Sequence, residues 1–167
     1  MERHTLTVWK EGDRMVKWKP LLVSLLLSLG VGGFSAFLTK DSMDVYKTLN
    51  QPPLAPPGWL FPVVWTILFM MMGLAAYLVW IKNAPDRAQA LFWYAVQLAF
   101  NFCWTLLFFN AKWYGVALVW LLLLWALILI TAVKFYRTTP AAGWLMLLYL
   151  LWVTFAAYLN AGVWYLN

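Results

Sequence analysis

The sequence predicts an all-α integral membrane protein built as a bundle of five transmembrane helices. Hydrophobic residues make up 65% of the 167 positions, charged residues make up 11%, and the mean hydropathy is +0.74. A soluble domain of this size has too much surface for its volume to hide so many apolar side chains. Five apolar runs each reach the roughly 20 residues that a helix needs to cross the hydrocarbon core. The runs are continuously apolar rather than alternating, which favours helices over barrel strands.

The spans follow one another with polar breaks between them. A polar arm, residues 1–19, precedes a single domain, residues 20–167. Within the second span, Pro62 falls in the first turn, where a missing N–H costs little. The last three breaks are short, but the first covers residues 39–58, and a loop of about twenty residues in a compact bundle is usually functional. The predicted spans are residues 20–38, 59–81, 89–109, 114–135 and 142–166.

The distribution of basic residues predicts how the chain crosses the membrane. Nine Lys and Arg residues lie on the N-terminal side of the spans and three on the other side, which predicts a cytoplasmic N-terminus and an outer C-terminus in a bacterial cell membrane. A cleaved signal peptide ending near 33–35 is the alternative for span 1, and Met15 is an alternative start to Met1. The nine are Arg3, Lys10, Arg14, Lys17, Lys19, Lys82, Arg87, Lys134 and Arg137, and the three are Lys40, Lys47 and Lys112.

Several classes of function are disfavoured by what the spans lack. Cys103 is the only cysteine and His4 the only histidine, so no intrachain disulfide or cysteine metal cage can form. No ionisable residue lies away from the span ends, which argues against a proton or ion pump. The histidine count likewise argues against a haem electron-transfer protein. We expect no metal site, no required cofactor, no hydrolytic centre and no nucleic-acid partner.

Neutral polar residues mark one face of span 3. Gln97 and Asn101 lie four residues apart and therefore share a face, which Trp104 and Phe108 continue. This face either lines a cavity or bonds to a neighbouring helix, and the pattern allows both. Small residues offer a different surface for a homodimer or for close packing within the chain. These are Ala95 and Ala99 in span 3 and Gly30, Gly32 and Gly33 in span 1.

Thirteen tryptophans point to aromatic surfaces of two kinds. Seven lie near predicted span ends, where amphipathic indole rings anchor helices at the membrane interface. Trp65 and Trp152 lie deeper, where an indole either packs in the core or stacks on another π system. The seven are Trp9, Trp18, Trp59, Trp80, Trp113, Trp144 and Trp164.

A proline-rich segment leads directly into the second span. Residues 51–66 contain two Pro-Pro pairs, 52–53 and 56–57, followed by Trp59 and Trp65. Because proline fixes φ and lacks an N–H, the segment is expected to be a stiff, extended strap. We expect this strap to act as a lid for a flat hydrophobic ligand at the mouth of the bundle.

Three segments, residues 52–66, 97–104 and 150–160, carry a resemblance to a known family. Together with five spans and a long first loop, they resemble the TspO/MBR family, the tryptophan-rich sensory proteins related to the mitochondrial translocator protein. The resemblance extends from about Lys19 to Asn167. It implies a pocket open towards the first loop that binds porphyrins, cholesterol-like lipids and benzodiazepine-type ligands. The implied pocket residues are Tyr46, Pro56, Pro57, Phe61, Trp65, Phe69, Gln97, Asn101, Trp104, Phe108, Trp152 and Ala156.

The same resemblance implies a chemistry and leaves alternatives open. Bacterial members are linked to light-dependent breakdown of protoporphyrin IX, and Trp65 and Trp152 match the two tryptophans held responsible. A non-enzymatic sensor or transporter of tetrapyrroles, lipids or sterols is the alternative. The family's sterol-recognition pattern needs a basic residue after a tyrosine, but neither Tyr158 nor Tyr165 is followed by one. A formal match to such a pattern occurs instead within residues 74–82.

Overall fold

The computed structural model of the chain describes residues 16–40, 46 and 48–167. Across these residues it contains five helices that are long and apolar enough to cross a membrane, which confirms the predicted all-α bundle. Residues 1–15, and with them the predicted N-terminal arm, both alternative starts, His4 and Trp9, lie outside the described residues, as does Lys47. The helices are α1 (Trp18–Leu38), α2 (Leu60–Ile81), α3 (Arg87–Thr105), α4 (Tyr114–Thr138) and α5 (Pro140–Leu166).

The helix bounds differ from the predicted spans by at most three residues, except at the end of the third. There α3 stops at Thr105 and continues as a π-helical turn, Leu106–Asn110. The turn is closed by the Ala111 N–H, which donates to the Leu106 carbonyl at 2.9 Å, five residues back. The predicted single helix over 89–109 therefore changes its winding in its last turn.

Helices α3, α4 and α5 form one tightly connected half of the bundle. Trp120 of α4 stacks on Phe100 of α3 with ring centroids 4.4 Å apart, and its Nε1 donates to the Phe100 carbonyl at 2.9 Å. Trp125 of α4 donates to the Thr154 hydroxyl of α5 at 2.8 Å. These side chains join the three helices by packing and by hydrogen bonds, which have few competing partners in a lipid environment.

Helix α1 lies at the edge of the bundle, mainly against α2. Only Ser28 and Ser35 of this helix are buried. Ser28 Oγ lies 2.6 Å from the Tyr94 hydroxyl of α3 and donates to its own helix at the Ser24 carbonyl, so the tyrosine is the donor between the helices. Since most of its surface is exposed, α1 is the least embedded of the five helices.

The proline segment is anchored to the end of α5. Pro52 to Ala55 form a type II turn, in which the Ala55 N–H donates to the Pro52 carbonyl and Leu54 has a φ of 67°. The Tyr158 hydroxyl donates to the Pro53 carbonyl at 2.7 Å. A Cβ at position 162 would overlap Pro52, so the glycine there allows the loop to sit directly on the helix.

The contact between α1 and α2 generates a prediction about stability. A Cβ added at Gly73 of α2 would lie 3.0 Å from the Cα of Leu25 and 3.0 Å from the carbonyl oxygen of Ser24. Because these are backbone atoms, α1 itself must move, and we expect Gly73→Ala to cost about 1–3 kcal/mol. The matched control is Gly30→Ala, since an added Cβ there meets nothing within 4 Å. Thermal unfolding in detergent should show a lower Tm for the first variant only, and equal Tm values would contradict the close approach.

Candidate functional site

A cavity opens at the end of the bundle where α1 ends and α2 begins. It has a volume of about 180 Å³ and lies between α1, α2, the end of α3 and α5. Apolar and aromatic side chains make up most of its wall, as is usual for small-molecule sites. The lining residues are Gly32, Ser35, Ala36, Thr39, Lys40, Tyr46, Phe61, Pro62, Trp65, Phe69, Asn101, Trp104, Thr105, Phe108, Phe109, Ala156, Leu159 and Asn160.

The wall of the cavity is a continuous set of aromatic rings centred on Trp65. Its ring centroid lies 6.0 Å from that of Trp104 and 5.9 Å from that of Phe69, with interplanar angles of 31° and 36°. Phe108 extends the wall from Trp104 at 5.6 Å. The modest tilts show that neighbouring rings lie closer to parallel than to perpendicular, and aromatic side chains of this kind suit contact with a flat π system.

The π-helical turn brings two consecutive phenylalanines to the cavity. Phe108 and Phe109 both line it, with ring centroids 4.9 Å apart in an edge-to-face arrangement. Trp104 and Thr105, the last residues of α3, are likewise consecutive and both line the cavity, so the same face continues into the turn. π-bulges of this kind are frequent at functional sites.

Hydrogen bonds hold the deep end of the wall in place. Asn101 Nδ2 donates to the Tyr149 hydroxyl at 2.8 Å. Trp104 Nε1 donates to Asn160 Oδ1 at 3.2 Å, and Asn160 Nδ2 donates in turn to the Tyr114 carbonyl at 2.8 Å. Since each of these groups is bonded, the polar side chains at this end are satisfied without a ligand.

Three buried polar atoms have no hydrogen-bond partner among the described residues. They are the Tyr46 hydroxyl, Trp152 Nε1 and Gln97 Oε1. Burial raises the pKa of Tyr46 above its ordinary value of 10.0, so its phenol stays protonated at neutral pH and can donate. Unpaired buried polar atoms are uncommon in folded proteins, and each one invites an explanation such as a bound ligand or water.

Comparison with known proteins agrees with this fold. The model of the TspO/MBR family matches residues 23–166. The chain belongs to the TspO/MBR family. It is 42% identical over 151 residues to the tryptophan-rich protein TspO of Chlorobaculum tepidum, covering 88% of this chain and 94% of that protein.

Relatives of this TspO/MBR chain also occur under other names. The tryptophan-rich sensory protein of Cereibacter sphaeroides is 37% identical over 147 residues, covering 88% of this chain and 91% of its own length. The human translocator protein is 36% identical over 151 residues, covering 88% of this chain and 89% of that protein. The similarity therefore spans nearly the whole membrane domain.

Eight of the twelve predicted pocket residues line the cavity, and four do not. Pro56 and Pro57 belong to the segment that is docked on α5. Gln97 is buried beside Met72, to whose sulfur its Nε2 donates at 3.8 Å. Trp152 lies behind Phe61, with ring centroids 6.3 Å apart. The eight are Tyr46, Phe61, Trp65, Phe69, Asn101, Trp104, Phe108 and Ala156.

The contribution of α1 to the cavity was not predicted from the sequence. Gly32, Ser35, Ala36 and Thr39 recur at the spacing of one helix face, and all four line the cavity. Their small size within a leucine-rich helix is a signal that could have identified this face. Phe109 was not predicted either, although it lies four residues after Thr105, which also lines the cavity.

Two further expectations concern metals and dimers. Among residues 16–40, 46 and 48–167 no cluster of three His, Cys, Asp or Glu side chains could hold a metal ion. Ala95 and Ala99 are exposed on α3, and the space around Gly30 and Gly33 is open. A homodimer through either surface stays a prediction.

The hydrogen bonds at the deep end of the cavity predict a stability effect. Tyr149→Phe removes the hydroxyl that accepts from Asn101 and leaves a buried amide N–H unpaired, which should cost about 1–3 kcal/mol. Tyr165→Phe removes the same atom from a residue that is 87% exposed and should cost nothing measurable. Thermal unfolding of both variants beside wild type tests this, and an unchanged Tm for Tyr149→Phe would show that the bond contributes little.

Proposed function

We propose that this protein binds flat hydrophobic ligands of the porphyrin class, such as protoporphyrin IX, in the aromatic cavity. The observation that carries the proposal is the wall of tilted rings formed by Trp65, Trp104, Phe69 and Phe108. Such a wall allows aromatic contact with a planar ligand. The surrounding apolar lining makes transfer of the ligand from water into the cavity favourable.

The volume of the cavity sets a condition on binding. Its roughly 180 Å³ is close to the engineered cavity of about 150 Å³ that holds one benzene molecule. A macrocycle is several times larger, so it fits wholly inside only if part of the wall moves. Helix α1 is the least buried part of the wall, since only two of its side chains are buried. Full insertion of a porphyrin therefore requires an outward movement of the end of α1, which breaks the hydrogen bond from Asn110 Nδ2 to the Leu38 carbonyl (3.1 Å).

Light-dependent breakdown of the bound porphyrin is a second function that one observation favours. The Trp65 ring lines the cavity directly, where a stacked porphyrin would touch it. In the step that we propose, a photoexcited porphyrin takes one electron from the Trp65 indole, leaving an indole radical cation and a porphyrin radical anion. Dissolved dioxygen then takes that electron and becomes superoxide, and the indole radical cation recovers an electron from the restored porphyrin, which becomes a radical cation. Superoxide and the porphyrin radical cation combine into a cyclic peroxide on the ring, whose O–O and C–C bonds break to give two carbonyl groups and an opened macrocycle. The net reaction adds one dioxygen to the porphyrin and regenerates the indole. Trp152 does not line the cavity, but its ring lies 6.3 Å from that of Phe61, which does. We therefore expect Trp152 to contribute less to the breakdown than Trp65.

A sensor or carrier would bind the same ligand without altering it. Binding would then depend on the cavity, but the porphyrin would survive illumination. The two functions differ in the role of the Trp65 indole, which is chemical in one and purely steric in the other.

Absorbance of the protoporphyrin IX complex, in light and in the dark, separates these functions. We expect saturable binding by wild type and Trp65→Phe, with affinities within about tenfold because an aromatic ring remains. Light-driven loss of the porphyrin spectrum should fall to the protein-free rate in Trp65→Phe and fall less in Trp152→Phe. Trp113→Phe is the matched control, because that indole is 61% exposed and lies outside the cavity.

Each alternative result has a definite meaning. Equal bleaching in wild type and Trp65→Phe, with binding retained, would leave a binding protein and exclude the photochemical step. Absence of saturable binding by wild type would overturn the proposed function itself.

A further inference from the structure

The cavity carries one charged side chain at its mouth. Among the described residues that line it, Lys40 alone has an ionisable group with a full charge at neutral pH. It follows α1 directly, is exposed, and places its Nζ 5.4 Å from the centroid of the Phe37 ring. A lysine of this kind keeps its ammonium group in water while its aliphatic stem lies along apolar surface. The Lys40 ammonium group can therefore reach across the opening of the cavity.

The other hydroxyl groups on the α1 and α3 walls already use their protons. Ser35 Oγ donates to the Val31 carbonyl and Thr39 Oγ1 to the Ser35 carbonyl, both at 2.9 Å. Thr105 Oγ1 donates to the Asn101 carbonyl at 3.1 Å. A hydroxyl has one proton to give, so these three cannot also donate to a ligand anion.

Two side-chain amides and one phenol hydroxyl are the other hydrogen-bond donors considered in the cavity wall. The side-chain amides of Asn101 and Asn160 each give one of their two N–H protons to a partner within the protein, and each keeps a second N–H that can donate. Tyr46, by contrast, is 5% exposed, lines the cavity and has a hydroxyl with no partner among the described residues. Both Tyr46 and Lys40 belong to the connection between α1 and α2, and both line the cavity.

We propose that Lys40 and Tyr46 recognise a carboxylate at the edge of the bound ligand. The flat apolar body of the ligand lies against the Trp65 wall, and its acid group stays at the mouth, where the Lys40 ammonium and the Tyr46 hydroxyl donate to it. This inference rests on the proposed function and adds the ligand class: a planar ring system with an acidic edge, rather than a neutral one.

The energetics favour this placement. A carboxylate carried to the deep end of the cavity would lose its hydration without gaining a counter-charge, which is costly. At the mouth it keeps water and gains a charge-assisted hydrogen bond. The orientation of the ligand is thereby fixed, with its acidic edge outward and its apolar edge towards the deep wall.

The test compares protoporphyrin IX with its dimethyl ester, which has the same ring but no carboxylate. Dissociation constants are measured in the dark, with the full chain in nanodiscs of phosphatidylcholine. Exposed ion pairs of this kind change affinity by factors of up to about five. We therefore expect Lys40→Gln to weaken binding of the acid about three- to fivefold and to leave binding of the ester unchanged.

Three further variants sharpen the comparison. Lys40→Glu should weaken binding of the acid more than Lys40→Gln does, because it replaces attraction by repulsion. Tyr46→Phe should weaken binding of the acid about tenfold, which is the low end of the range for one hydrogen bond to a charged group. Lys112→Gln is the matched control: it removes an exposed lysine at the same end of the bundle that does not line the cavity. Its affinities for acid and ester should equal those of wild type.

Salt provides a second readout that a purely structural role would not affect. Raising the salt concentration from about 50 mM to about 500 mM should weaken binding of the acid to wild type and have a much smaller effect on Lys40→Gln. An acid-to-ester affinity ratio that is the same in wild type and Lys40→Gln would overturn this inference and leave the proposed function standing. If wild type binds neither ligand saturably, the proposed function fails and this inference fails with it.

Discussion

The satisfaction of polar side chains inside an apolar bundle is the constraint on which the rest of this structure depends. Lipid offers no hydrogen bonds, so amides and indoles within the spans depend on partners in the protein. Among the buried polar side-chain atoms of the described spans, only Gln97 Oε1 and Trp152 Nε1 lack one. Asn101 pairs with Tyr149, and Trp104 pairs with Asn160, which in turn bonds to the Tyr114 carbonyl. These bonds tie α3, α4 and α5 together and hold the Trp104 ring in a defined orientation.

The cavity exists because the other side of the bundle is built differently. Helix α1 presents small residues towards α2 and α3, and Gly32 is pressed against Phe69, where a Cβ would overlap the ring. Small side chains leave space, and a lightly buried helix can move. A hydrogen-bonded aromatic wall therefore faces α1, which is less buried and can move. This arrangement suits a ligand that is larger than the cavity.

Much of this could be predicted from local patterns, and the rest depends on contacts between distant parts of the chain. Five apolar runs identify five helices, and spacings of three and four residues place Asn101, Trp104 and Phe108 on one face. The π-helical turn has no comparable signature and could not be predicted. The docking of Pro52 on Gly162 joins residues 110 positions apart, and only packing reveals that Trp152 lies behind Phe61.

The central claim is that a porphyrin occupies the cavity between Trp65 and a displaced α1. An experimental structure of the protoporphyrin IX complex in lipid nanodiscs tests it most directly. The account predicts density for the ring in contact with the Trp65 and Trp104 side chains, with the end of α1 moved outward from Phe69. Ring density on the lipid-facing surface, with Gly32 still against Phe69 and the cavity unchanged, would contradict it.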